Sequence, residues 1–205
     1  MSRRFLTAAM LAVAATGVAH ATEVRSLADA TTYAVPPIGA TGTGPQSFAP
    51  GIVWSSESAQ SVFGYTGWYG FNGNGHWDGL SMIGSNSPAA AMRISFATPV
   101  SGAGLFLNYS ADLGALAVIA AYDASGRLVE STTLAFTTDG STNSGEFHGF
   151  QEPDADIAWL TLSGSYIGAA NLETTSVIGV PEPATAALLA AGLGVLLLAA
   201  PRRRA

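Results

Sequence analysis

Apolar and polar residues alternate with a period of two through much of the second half of the chain. Met92, Ile94 and Phe96 are separated by Arg93 and Ser95, which predicts a strand with one buried face. Gly104–Tyr109 sets Leu105 and Leu107 against Phe106 and Asn108, and Ala115–Tyr122 is apolar on both faces, as a strand covered on both sides would be. Asp123-Ala124-Ser125-Gly126 predicts a turn with Gly126 at positive φ, and Arg127–Leu134 follows as the partner strand of a hairpin. Gly145–Gln151, Ile157–Ser163 and Ser165–Leu172 read as three further strands, with Trp159 and Leu160 on opposite faces of the middle one; Thr137–Ser144 reads as a loop. Upstream, Gly51–Ser55 reads as a strand. Thr22–Ser47 is broken by Pro36-Pro37 and by Gly39, Gly42 and Gly44, so it reads as an irregular lead-in with one strand near Thr31–Val35. No amphipathic helix is legible between Thr22 and Gly179. Short strands separated by turn residues predict an all-β fold, an antiparallel sandwich or jelly roll.

Both ends of the chain break this pattern. Residues 1–21 carry Arg3 and Arg4, then the apolar run Phe5–Val18, then Ala19-His20-Ala21. A basic start, an apolar centre and an A-x-A site predict a secretory signal peptide cut after Ala21 by signal peptidase, using the general secretory route. Residues 177–205 hold Val180-Pro181-Glu182-Pro183, a charge-free run 184–200, and Arg202, Arg203 and Arg204. About 17 residues at 1.5 Å each reach roughly 25 Å, close to the thickness of a bilayer core. A core helix would keep a polar face and would not end on three arginines, so the run predicts a membrane span. The arginines then stay on the cytoplasmic side as a stop. The two prolines hold the segment before the span extended and stiff, with Glu182 as a charged handle. Residues 22–176 are left as the exported domain.

A Pro-Glu-Pro motif, an apolar helix and an arginine-rich tail, in that order, resemble the C-terminal sorting signal of PEP-CTERM proteins. The resemblance implies recognition by an exosortase, with cleavage near the motif. It also implies export through the inner membrane of a Gram-negative-type bacterium, transient anchoring, then a cell-surface or extracellular fate associated with exopolysaccharide or biofilm. The domain is similar in turn to exported sandwiches that carry such tails and look like galactose-binding jelly rolls. The shared residues are Phe96-Ala97-Thr98-Pro99-Val100, Tyr122–Gly126, Gly145–Phe150 and Ile157-Ala158-Trp159-Leu160. Ala169-Ala170-Asn171-Leu172 lacks the aspartate of the family strand, which leaves a family calcium or ligand site there without its carboxylate.

Composition narrows the chemistry. The chain has no cysteine, which rules out disulfides, thiol catalysis and zinc–thiolate sites. All of its acidic residues except Glu182 lie between Thr22 and Gly179, against only Arg25, Arg93 and Arg127. That excess disfavours nucleic acid and anionic membrane surfaces as partners. It reads either as a solvated surface or as weak calcium binding, with Glu146, Glu152, Asp154 and Asp156 as candidates. No other cofactor is implied. His76 and His148 lack metal-ligand spacing, and no Gly-x-Ser-x-Gly elbow is present, so no catalytic residue is assigned and no enzyme is expected.

The most unusual internal stretch is Ser61–Leu80, which sets Phe63, Tyr65, Trp68, Tyr69, Phe71 and Trp77 among glycines. Two readings stand. The rings turn into the core as the loop folds over the sheet, or Trp68, Tyr69, Trp77 and Asp78 form a surface on which a sugar ring stacks. The second makes the protein a carbohydrate-binding module with an extracellular polysaccharide as partner. The first leaves it a surface or matrix protein.

Overall fold

Alternation becomes architecture in the computed structural model, which describes residues 21–176. Its strands are β1 (Thr22–Val24), β2 (Thr31–Tyr33), β3 (Ala40–Thr41), β4 (Gln46–Ala49), β5 (Ile52–Ser56), β6 (Val62–Tyr65), β7 (Tyr69–Gly70) and β8 (His76–Trp77). They continue with β9 (Met82–Gly84), β10 (Ala91–Val100), β11 (Gly102–Asn108), β12 (Val118–Tyr122), β13 (Leu128–Thr133), β14 (Glu146–Gln151), β15 (Ile157–Ser163) and β16 (Gly168–Thr175). One sheet runs β1-β14-β11-β16-β9-β6-β3, with β2 also paired to β16; the other runs β13-β12-β15-β10-β5-β4. The strand pairings are antiparallel.

The main core lies between the sheets. Ile94, Leu160 and Leu162 from one meet Leu105, Leu107 and Phe150 from the other, with Trp54 and Phe63 packed 5.3 Å apart between ring centroids. Side chains of this size contribute about 1.5–3 kcal/mol each when fully buried. The predicted hairpin forms as read: Gly126 has φ 89°, and the Asp123 carboxylate accepts hydrogen bonds from Ser125 and Arg127.

Two expectations are corrected. The lead-in contains four short strands, β1 to β4, because neighbours in both sheets supply their pairing. The last strand begins at Gly168, since Ser165 and Tyr166 sit in a turn with φ of 45° and 53°.

Thr22 pairs with Gln151, Gln151 with Gly102, and Gly102 with Thr175, so the first and last strands leave the sheet along one row. The 184–200 run, the 180–183 motif, Arg202–Arg204 and Ala19 lie outside the described residues. Among the described residues no helix is long and apolar enough to cross a membrane.

Candidate functional site

The outer face of the β1–β3 sheet is apolar where a sandwich would usually meet water. Phe106 and Ala170 point outward there, next in sequence to the inward-facing Leu107 and Ala169. The loop after β6 covers them. Its small hairpin pairs Tyr69 with Trp77 and Gly70 with His76. Cross-strand partners share a face and adjacent residues do not. Tyr69 and Trp77 therefore turn toward the sheet, and Gly70, His76 and the preceding Trp68 turn away.

Trp77 is 0% exposed, its ring 4.9 Å from Phe71 and 5.6 Å from Phe106, and its indole N–H donates to the Ser144 carbonyl at 2.7 Å. Tyr69 is 9% exposed. The expected four-residue stacking surface is thus corrected: Trp77 has no free face, and Tyr69 offers only an edge. Asp78 is exposed, with its backbone N–H and carbonyl bound to the Asn143 side chain.

Trp68 is 65% exposed. Its ring stacks on the His76 imidazole, centroids 5.8 Å apart at 24°. It also lies over Gly70, where an added Cβ would come within 2.4 Å of Trp68 Cη2. His76 Nε2 is in turn hydrogen-bonded to Thr142 Oγ1 at 3.1 Å. A supported, outward-facing indole results. It borders a cleft of about 390 Å³ lined by Val62, Tyr65, Trp68, Tyr69, Gly70, Asn86 and Tyr166. The Tyr69 hydroxyl accepts from the Asn86 N–H at 3.1 Å and donates to the Tyr166 carbonyl at 3.4 Å, and burial pushes its pKa up to about 12. Asn86 and Tyr166 escaped the sequence reading. They lie outside the aromatic stretch: Asn86 follows β9, which pairs with β6, and Tyr166 precedes β16, which pairs with the other side of β9.

Other candidates resolve differently. On the outer face of the second sheet, Trp159 stacks on Tyr122 from the neighbouring strand at 5.5 Å, and the Arg93 guanidinium sits 3.9 Å over its ring from the strand on the other side. Both sides of that ring already have partners. His148 is 2% exposed and faces Glu23 through Nδ1 at 3.2 Å and Arg25 through Nε2 at 2.6 Å. Burial first, and the Arg25 charge second, lower its pKa. Glu146, one of the proposed calcium ligands, instead accepts from Arg25 at 2.8 Å. Among the described residues no three acidic or histidine side chains converge as metal ligands.

The site and fold so far define an antiparallel β-sandwich with an aromatic cleft. No protein-family model and no characterised protein sequence matches the chain. Among solved structures, the chain is similar to a His 62 mutant of the lectin binding domain of Lectinolysin complexed with Lewis b: 11% identity, 46% of this chain, 70% of that one, TM-score 0.32. A Streptococcus pneumoniae fucose binding module, SpX-3, gives 11% identity over 46% of this chain and 72% of its own, with TM-score 0.31. A likeness this distant assigns neither ligand nor site to this chain.

Proposed function

We propose that this protein is a non-enzymatic carbohydrate-binding β-sandwich of the jelly-roll type, which stacks a sugar ring on Trp68. The observation that carries this reading is the supported indole at the edge of an aromatic cleft, one side seated on His76 and Gly70 and more than half the residue exposed. Leaving such a ring exposed gains nothing for the fold, whereas the apolar face of a pyranose would cover it. Among the described residues no carboxylate lines the cleft, which supports binding over the two-carboxylate route to glycoside cleavage. A glycan array probed with wild type and with Trp68→Ala tests this. Binding that disappears in the variant supports the proposal, and equal binding by both proteins refutes it.

A second, compatible part of the proposal concerns delivery. The order of Pro181-Glu182-Pro183, the apolar run and Arg202–Arg204 supports sorting by an exosortase after export, which would place the domain in the cell envelope or the extracellular polymer. The geometry suits that role. Thr175 ends β16 at the row shared with Thr22, whereas the cleft residue Tyr166 lies just before the other end of β16. The eight residues of β16, seven steps of about 3.3 Å, put roughly 23 Å between the two ends. A domain tethered through its C-terminus would present the cleft away from the tether. Replacing Pro181-Glu182-Pro183 by alanines should leave the chain exported but untrimmed, as read by the mass of its mature C-terminus. Normal trimming would remove this part and leave the binding proposal standing.

A further inference from the structure

We infer that the cleft selects an uncharged sugar and reads its hydroxyls through the Asn86 amide and the Tyr166 hydroxyl, an inference that rests on the carbohydrate reading above. Among the described residues, no aspartate, glutamate, lysine, arginine or histidine lines the cleft. Tyr69, the one titratable side chain there with a perturbed pKa, is shifted upward and stays a neutral phenol. An anionic sugar would need a cation, and the domain's three arginines are committed elsewhere. Arg25 is bound to Glu146 and Glu23, Arg127 to Asp123, and Arg93 covers Trp159 on the other sheet. The excess of acidic over basic residues between Thr22 and Gly179 also disfavours approach of a uronate or sialylated polymer.

Neutral recognition needs hydrogen-bonding groups with unspent capacity. The Tyr65 hydroxyl donates to the Trp68 carbonyl at 3.3 Å, and the Tyr69 hydroxyl is held on both sides by Asn86 and Tyr166 main chain. Those two phenols build the wall. Among the described residues, the side-chain amide of Asn86 and the hydroxyl of Tyr166 have no protein partner, yet both residues line the cleft. Their backbones are held in place at a cost. Asn86 has φ 43° and Tyr166 has φ 53°, a region that asparagine tolerates and a bulky tyrosine seldom adopts. Two contacts fix that turn: the Tyr166 N–H donates to the Ser87 carbonyl at 3.0 Å, and the Ser165 hydroxyl donates to the Ala115 carbonyl. Strain of this kind persists where the surrounding structure over-determines it, and it gathers at binding sites. Here it places two adaptable polar groups beside one aromatic platform.

Affinity electrophoresis of the full chain tests the inference, in gels containing galactomannan, xyloglucan or dextran beside gels containing alginate or polygalacturonate. The variants are Asn86→Asp, which suits the same backbone but loses the donor, and Tyr166→Phe, which keeps the ring and loses the hydroxyl; near-UV circular dichroism confirms that each is folded. We expect retardation by at least one neutral polymer, none by the anionic ones, and affinity lower by about tenfold in each variant. Retardation by the anionic polymers alone leaves the carbohydrate reading intact and overturns this inference. Neutral binding that is unchanged in both variants overturns the assignment of Asn86 and Tyr166. Failure of every gel refutes the carbohydrate reading, and this inference with it.

Discussion

Replacing Trp77 with alanine should detach the aromatic loop from the sheet, and the size of the effect follows from what the ring touches. Trp77 is fully buried between Phe71 and Phe106. Removing a buried tryptophan of this kind costs about 3–5 kcal/mol through lost transfer energy and the cavity left behind. The lost indole hydrogen bond adds little, because the Ser144 carbonyl keeps a second donor, the Asn108 side-chain amide at 3.0 Å. Taking about 4 kcal/mol in total, and an urea m-value near 2 kcal/mol per molar, the unfolding midpoint should fall by about 2 M. Urea denaturation followed by far-UV circular dichroism measures this. Trp68→Ala is the matched control. Its ring is mostly exposed, so its stability should change by no more than the ~0.5 kcal/mol typical of a surface change, about 0.25 M in the midpoint. The reasoning fails if Trp77→Ala shifts the midpoint by less than about 0.5 M, or if the two variants are equally destabilised, since the division of the loop into an anchoring ring and a displayed ring would then be wrong.

Three further outcomes follow from single residues. Gly70→Ala meets no backbone restriction, but its Cβ would collide with the Trp68 ring. It should leave the unfolding midpoint nearly unchanged while displacing the indole, seen as a shifted Trp emission and lost glycan retention; unchanged emission would contradict the described seat. His148 has a pKa below the usual 6.5, so the unfolded chain takes up its proton first as pH falls. Its contribution is complete above about pH 6.5 and is lost below it. Wild type should therefore lose more thermal stability between pH 7.5 and pH 5 than His148→Gln, in which Glu23, Arg25 and Glu146 remain; parallel losses would show that the imidazole is not held neutral between them. Arg93→Ala should cost about 0.5–1 kcal/mol through the lost contact over Trp159 and leave glycan binding untouched, because that ring is on the other sheet. A loss of binding in this variant would move the site.

Long strands with strict alternation were legible in the sequence. Ile157–Ser163 has the predicted bounds, and Met92, Ile94 and Phe96 face inward as their spacing requires. Strands of two to four residues such as β1 to β4 carry too little pattern for a period to show, and they form because β14, β16, β6 and β5 present open edges to them. The aromatic loop was visible as a cluster, but composition does not distinguish Trp68 from Trp77. Hairpin register does: pairing Tyr69 with Trp77 sends both inward and leaves Trp68 on the face shared by Gly70 and His76. Asn86 and Tyr166 could not be found locally, since Asn86 is one polar residue outside any motif and Tyr166 falls in the stretch read as the strand Ser165–Leu172, and their positive φ shows only in the fold.

Isothermal titration of wild type and Trp68→Ala with a neutral polysaccharide retained in the gels tests the central claim most directly. We predict that truncating a central aromatic contact of about 2 kcal/mol weakens binding roughly thirtyfold, while stability is unaltered. Equal affinity in the two proteins would contradict the account.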